Sequence, residues 1–129
     1  MIALDTSALM AILLEEAAAE PCKTVLDDEA EVVISAGTLA EAMIVARGRG
    51  LADAMKLLLD GIAPTVVPVT AAEAGRVAEA HARWGRGIHP AKLNFGDCFA
   101  YSVATLHACP LLFVGDDFAR TDVVPAIPA

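Results

Sequence analysis

The sequence predicts an α/β fold in which helices cover both faces of a central parallel sheet, giving a three-layer α/β/α sandwich. Short apolar runs alternate along the chain with longer segments of helical pattern, and strands separated by helices form parallel sheets. The chain has 129 residues, of which 57% are hydrophobic. That length and composition predict a single domain over residues 1–129 with ample material for a core.

The first half of the chain predicts three strands and four helices. The strands are the apolar runs MIAL, EVVIS and TVVPV, and the last of these is an edge strand because Pro68 lacks an N–H donor. TSALMAILLEE is typical of a buried helix, and EPCKTVLDD of a short helix with proline tolerated in its first turn. TLAEAMIVARGRG and LADAMKLLLDGI are two further helices, which end at glycines.

The second half of the chain repeats this alternation. TAAEAGRVAEAHARW predicts a helix, since Thr70 and Glu73 have capping-box spacing. The segment GRGIHPAKLN predicts a loop and FGDCFAYSVATLHA a helix. LLFVGDDF predicts a strand that runs into a turn, and a last short strand is expected near Val123 and Val124.

Charge and cysteine content limit the kinds of partner. The net charge of −8 argues against simple electrostatic binding of nucleic acid, so an acidic partner would need a local basic patch or bound cations. Three cysteines without close pairing favour a reducing compartment. No apolar stretch reaches the roughly 20 residues of a membrane span. We therefore expect a cytoplasmic protein without membrane association.

Five acidic residues occupy predicted strand ends or helix starts. Asp5 follows the first strand, Glu41 and Asp97 lie in first helical turns, and Asp116 and Asp117 follow the fourth strand. In an open parallel sheet these positions share one edge, where ligands bind. We therefore expect these acids to meet there.

Each of these acids also has a purely structural interpretation. Asp5 can cap a helix, Glu41 and Asp97 have capping-box spacing from Thr38 and Asn94, and Asp116 can form an Asx-turn. Capping does not explain why acids alone were used along one edge, because like charges repel unless a cation compensates them. Carboxylates without Cys or His suit Mg²⁺, or alternatively Mn²⁺, and such ions promote phosphodiester chemistry.

A local basic zone precedes Asp97. Arg83, Arg86 and Lys92 lie in a stretch without acids that also contains Trp84, and they are candidate RNA-binding residues. The alternative is a solvated loop with ordinary cations at a helix C-terminus.

Four stretches in this order carry a resemblance to a known family: IALDTSAL, TLAEA, LNFGDCFAYSVA and LLFVGDDFARTDV. Together they span almost the whole chain, which resembles a PIN-domain ribonuclease of the VapC type, the toxin of a bacterial toxin–antitoxin pair. The resemblance implies a PIN-like α/β/α sandwich, a metal-dependent endoribonuclease activity, a cognate antitoxin as partner, and a homodimer.

The resemblance also implies residue roles. Asp5 and Asp97 match metal ligands, and Glu41 matches the acid that positions the metal or its water. The fourth acid is Asp116 or Asp117, and Asp116 is slightly favoured as the metal ligand because it lies nearer the strand end. One or two Mg²⁺ ions would then activate a water, and the products would carry 5′-phosphate and 3′-hydroxyl ends.

Three neighbouring polar residues are assigned supporting roles. Thr6 or Ser7 matches the small hydroxyl residue that supports the first aspartate, and Asn94 is placed to support Asp97.

Two other classes of function stay open. A doubly wound phosphotransfer or phosphatase domain would use Asp5 as its nucleophile, but no D-x-D-x-T pattern follows the first strand. A non-catalytic protein-binding module would use the acids as caps and an apolar surface as its docking site.

Overall fold

The computed structural model describes residues 1–128 and contains one all-parallel sheet. Its strands are β1 (Ile2–Leu4), β2 (Val32–Ser35), β3 (Thr65–Val67) and β4 (Leu111–Leu112). They lie in the order β3-β2-β1-β4, so the chain steps outward from β1 to β3 and then returns to the other side of β1. The crevice at the carboxyl ends of β1 and β4 is therefore the switch point at which such sheets bind ligands.

Helices are present in all six places where the sequence predicts them. They are α1 (Thr6–Leu13), α2 (Ala19–Asp28), α3 (Ala36–Gly48), α4 (Ala52–Ile62), α5 (Ala71–Trp84) and α6 (Phe95–Leu106), followed by a 3₁₀ turn at Phe118–Arg120. Within residues 1–128 no helix is long and apolar enough to cross a membrane.

Alternation along the strands divides the interior into two cores. Ile2 and Leu4 pack with α1, α3 and α4 on one face of the sheet, whereas Ala3 packs with α5 and α6 on the other. The side chains of β4 alternate in phase with those of β1, because Leu112 joins the first core and Leu111 the second. These two cores confirm the predicted three-layer α/β/α sandwich.

Helix α3 begins earlier than the sequence predicts. Ser35 is its N-cap, since the Ser35 side chain accepts a hydrogen bond from the Gly37 N–H at 3.1 Å. Glu41 therefore lies in the second turn, and the interpretation of Thr38 and Glu41 as a capping box is wrong. This removes the structural explanation for an acid at position 41.

The predicted strand near Val123 and Val124 does not form. The structure has a single parallel bridge between Leu111 and Pro125 there, made by the Leu111 N–H to the Val124 carbonyl and the Ala126 N–H to the Leu111 carbonyl. β4 is only two residues long and offers no longer ladder. The prediction for β3 is confirmed, because β3 is the last strand on its side and ends before Pro68.

Candidate active site

Asp5 is a buried carboxylate at the end of β1, with only 3% of its surface exposed. Its Oδ2 accepts hydrogen bonds from the Ser7 N–H at 3.0 Å and the Ser7 hydroxyl at 2.6 Å, which caps α1. Its Oδ1 is buried and has no hydrogen-bond partner. Capping therefore accounts for one oxygen of Asp5, and the other has the position expected of a ligand atom.

Ser7 connects Asp5 to the chain that follows β4. The Ser7 hydroxyl donates to Asp5 and accepts a hydrogen bond from the Val114 N–H at 2.9 Å. Val114 lies just before Asp116 and Asp117, so one hydroxyl fixes the first acid relative to the segment that carries the last ones. This contact agrees with the supporting role predicted for Ser7.

Glu41 reaches the same region from α3. Its Oε1 accepts a hydrogen bond from the Thr6 hydroxyl at 2.7 Å. Thr6 therefore supports Glu41, whereas the sequence analysis offered it as a support for Asp5. The Glu41 carboxylate also lies against the Cα of Gly96, at the start of α6.

Asp97 is held at the start of α6 by a reciprocal capping box. Its Oδ2 accepts from the Asn94 N–H at 3.0 Å, and the Asn94 side chain accepts from the Asp97 N–H at 2.9 Å. The supporting role predicted for Asn94 agrees with this geometry.

The charges of these acids act on one another. Burial, together with the charges of Asp5, Asp117 and Glu41, raises the pKa of Asp97 to about 6. Burial and, to a smaller extent, the charge of Glu41 outweigh the opposing Ser7 hydrogen bonds and raise the pKa of Asp5 to about 6. Four acids from four separate segments thus form one electrostatic cluster.

The donor chemistry of this cluster fits a hard divalent cation. All of its donors are carboxylate oxygens, their charges repel, and Asp5 Oδ1 has no partner. Among residues 1–128, however, no three His, Cys, Asp or Glu side chains already stand close enough together to hold a metal ion. A cation would therefore have to draw the carboxylates inward by side-chain rotation.

The two candidates for the fourth acid are both exposed. Asp117 precedes the 3₁₀ turn, and its charge contributes to the raised pKa of Asp97. This electrostatic contact favours Asp117 as the acid nearer the cluster, in contrast to the preference for Asp116 drawn from the sequence.

The basic residues before α6 differ in their surroundings. Arg83 lies over the Trp84 ring at 4.5 Å and pairs with Asp122 at 3.4 Å. Arg86 and Lys92 are exposed and line a surface hollow of about 500 Å³. Arg83 thus has local partners, and the other two residues face solvent.

The loop at residues 85–94 is anchored beside the acids. A bridge joins Gly85 to Leu93, directly before the Asn94 cap of α6. Arg120, in the turn after Asp117, donates to the Pro90 carbonyl at 3.1 Å. The loop is therefore tied to both segments that carry Asp97 and Asp117.

Sequence reasoning missed two contributors to this site. The Val114 N–H is a backbone group, which leaves no sequence signal. Gly96 stands directly before Asp97, and a glycine inside a helical pattern was the available signal of a close approach.

Comparison with known proteins gives the context of this geometry. The PIN domain model matches residues 2–124. The ribonuclease VapC42 of Mycobacterium tuberculosis is 38% identical over 126 residues, covering 95% of this chain and 96% of the relative. The ribonuclease VapC of Mycolicibacterium smegmatis is 38% identical over 123 residues, covering 93% of this chain and 95% of the relative.

Solved structures share the fold. The crystal structure of M. tuberculosis VapC20, a sarcin-ricin loop cleaving toxin, matches with a TM-score of 0.77 at 21% identity, covering 99% of this chain and 100% of that one. A toxin–antitoxin complex from Klebsiella pneumoniae matches with a TM-score of 0.72 at 20% identity, covering 100% of both chains.

Proposed function

The chain belongs to the PIN-domain family and, within it, to the VapC group, and from that premise we propose that it is a metal-dependent endoribonuclease and the toxin of a toxin–antitoxin pair. The observation that carries the proposal is the Asp5 carboxylate, buried at the switch point of the sheet with Oδ1 unpartnered. Asp97, Glu41 and Asp117 share its electrostatic environment. Relatives named as ribonucleases support the same reaction.

Asp5, Asp97 and the fourth acid would hold Mg²⁺, or Mn²⁺ in its place. The bound cation would lower the pKa of a water and stabilise the leaving 3′ oxygen. A pKa of about 6 leaves Asp5 and Asp97 mostly ionised at neutral pH, as ligands of a cation must be. We favour Asp117 as the fourth acid, and Asp116 is the alternative.

Glu41 is placed to manage the attacking water. The Thr6 hydroxyl holds its Oε1, which leaves Oε2 on the side that faces the start of α6 and Asp97. From there Glu41 would orient the water and accept its proton. Hydrolysis by water needs no covalent enzyme intermediate, and the products carry 5′-phosphate and 3′-hydroxyl ends.

The RNA substrate would enter over the loop at residues 85–94. Arg86 and Lys92 are exposed there and would contact phosphates. Arg83 belonged to the predicted RNA-binding set, but its contacts with Trp84 and Asp122 make it a residue that supports the loop.

Partners follow from the relatives and from the exposed apolar surface. Structural neighbours include toxin–antitoxin complexes, and we infer a cognate antitoxin for this chain. We also infer a homodimer, supported by the exposed α3 side chains Met43, Ile44 and Val45. Free thiols at all three cysteines support a reducing, cytoplasmic setting.

The surroundings of Asp5 disfavour the alternative functions. A phosphotransfer domain that used Asp5 as its nucleophile would carry a D-x-D-x-T pattern from Asp5 onward, and the sequence has none there. If the protein were a binding module in which the acids served only as helix caps, Asp5 Oδ1 would be expected to have a hydrogen-bond partner.

Cleavage of a labelled RNA by the purified protein tests the proposal. We expect cleavage with Mg²⁺, none with EDTA, and 5′-phosphate ends on the products. Asp97→Asn should reduce the rate by about 100-fold or more while keeping the fold, because asparagine can still accept the Asn94 N–H. Asp28→Asn, at an exposed acid on α2, is the matched control. Equal rates in EDTA and Mg²⁺, or for Asp97→Asn and the control, would refute the proposal.

A further inference from the structure

We propose that Gly96 is a positioning residue for Glu41, because its bare Cα leaves the space that the Glu41 carboxylate occupies. The inference rests on the proposed ribonuclease function for its catalytic consequence. The packing of Glu41 against Gly96 is independent of that function.

A glycine is needed at position 96 because of the room it leaves, and not because of its backbone conformation. Gly96 is the second residue of α6, and its φ is not positive. A Cβ at this position would overlap Glu41 Oε2, lie 2.6 Å from Cδ and lie 3.0 Å from Oε1. Any residue other than glycine would therefore meet the carboxylate.

A contact on the other side fixes the Glu41 carboxylate against Gly96. The Thr6 hydroxyl donates to Oε1 at 2.7 Å, so the carboxylate lies between the start of α1 and the start of α6. The Glu41 side chain and helix α6 can therefore approach this closely only because position 96 has no side chain.

A second glycine marks another close approach between α3 and α6. The Phe99 ring of α6 packs against Gly37 of α3, where a Cβ would also overlap it. The two helices therefore contact each other through one glycine on each. Because the end of the Glu41 side chain is flexible, a methyl group at position 96 would rotate Glu41 away and leave both helices in place.

The expected result is a folded variant with a misplaced acid. Gly96→Ala should reduce kcat by about 10- to 100-fold, the range expected for a catalytic group moved by about 1 Å. The KM for RNA should change by less than about threefold, since Arg86 and Lys92 are untouched. Gly75→Ala is the matched control, because Gly75 is exposed within α5 and a Cβ there meets no atom within 4 Å.

Combining Gly96→Ala with a shortened Glu41 provides a double-mutant test. In Glu41→Asp the carboxylate withdraws from position 96, so adding Gly96→Ala to that variant should lower kcat by less than about twofold. Wild-type kcat in Gly96→Ala, or an equal loss in both backgrounds, would overturn the proposal.

A stability measurement without metal tests the contact independently of cleavage. In EDTA, Thr6→Ala should lower Tm in the wild type and in Gly75→Ala, because the hydrogen bond to Glu41 is lost. It should lower Tm clearly less in Gly96→Ala, where Glu41 has already left Thr6. Equal decreases in all three backgrounds would overturn the positioning role. Absence of cleavage in the wild type would instead refute the proposed function.

Discussion

Asp5 is a carboxylate that the fold satisfies on one oxygen only. Ser7 provides two hydrogen bonds to Oδ2, and Oδ1 is buried without any. An unpartnered buried polar atom destabilises a fold by about 1–3 kcal/mol. In the function proposed above, a bound cation would satisfy the second oxygen.

The pH dependence of stability should report this burial. The pKa of Asp5 rises from 3.8 to about 6 on folding, so the unfolded chain loses the proton more readily. Ionisation of Asp5 therefore opposes folding above about pH 6, and this destabilisation disappears as the pH falls toward 4. Without metal, the free energy of unfolding of Asp5→Asn relative to wild type should increase by about 2 kcal/mol from pH 4 to pH 7.5.

Chemical denaturation in EDTA over this pH range measures the effect. Asparagine caps helices as well as aspartate, so the variant keeps the cap of α1. Asp28→Asn, which changes an exposed acid, should differ from wild type by a constant amount. A constant difference for Asp5→Asn as well would contradict the burial argument.

Single residues were predictable where strand order alone decides their position. Asp5 and Asp97 follow strand ends or begin helices, and the parallel topology brings them to one edge. The partner of Thr6 and the nearness of Asp117 to Asp97 depend on side-chain directions across three helices and a turn. No local pattern encodes those directions.

The loop at residues 85–94 is the element we expect to contact RNA phosphates. Replacing Arg86 and Lys92 by alanine should reduce the slope of log affinity against log salt by about 1.4, since each phosphate contact contributes about 0.7 for a single strand. The cleavage rate at saturating RNA should change little, because the acid cluster is intact. Binding of a short RNA at several salt concentrations provides the slope.

Arg83→Ala separates the two roles inside this basic zone. Because Arg83 pairs with Asp122 and stacks on Trp84, we expect its loss to lower Tm and to leave the salt slope within about 0.3 of wild type. An unchanged slope in the Arg86 and Lys92 variant would mean that RNA enters elsewhere.

Elements were predictable in kind and order, and less so at their ends. All six helices lie where the pattern places them, but α3 begins earlier because Ser35 closes β2 and caps the helix at once. The last strand does not form because β4 is limited to two residues, which leaves a single bridge to the segment at Pro125. Such ends depend on which backbone donors find partners, and hydrophobic periodicity does not report this.

The whole molecule has a charge of −8, and part of it is concentrated in the cleft at the end of β1. Two apolar cores hold β1 from both faces, so the strand that carries Asp5 has little freedom to relieve the repulsion. The fold thus keeps acids together at a cost in stability. A bound cation would remove that cost.

Thermal unfolding in EDTA and in excess Mg²⁺ tests this claim most directly, with wild type, Asp5→Asn and Asp28→Asn compared. A cation present at 100 times its Kd stabilises the native state by about 2.7 kcal/mol. Wild type and Asp28→Asn should therefore gain several degrees in Tm with Mg²⁺. Asp5→Asn should melt at or above the wild-type Tm in EDTA and below it in Mg²⁺. An equal Mg²⁺ shift in all three proteins would contradict a cation site at Asp5.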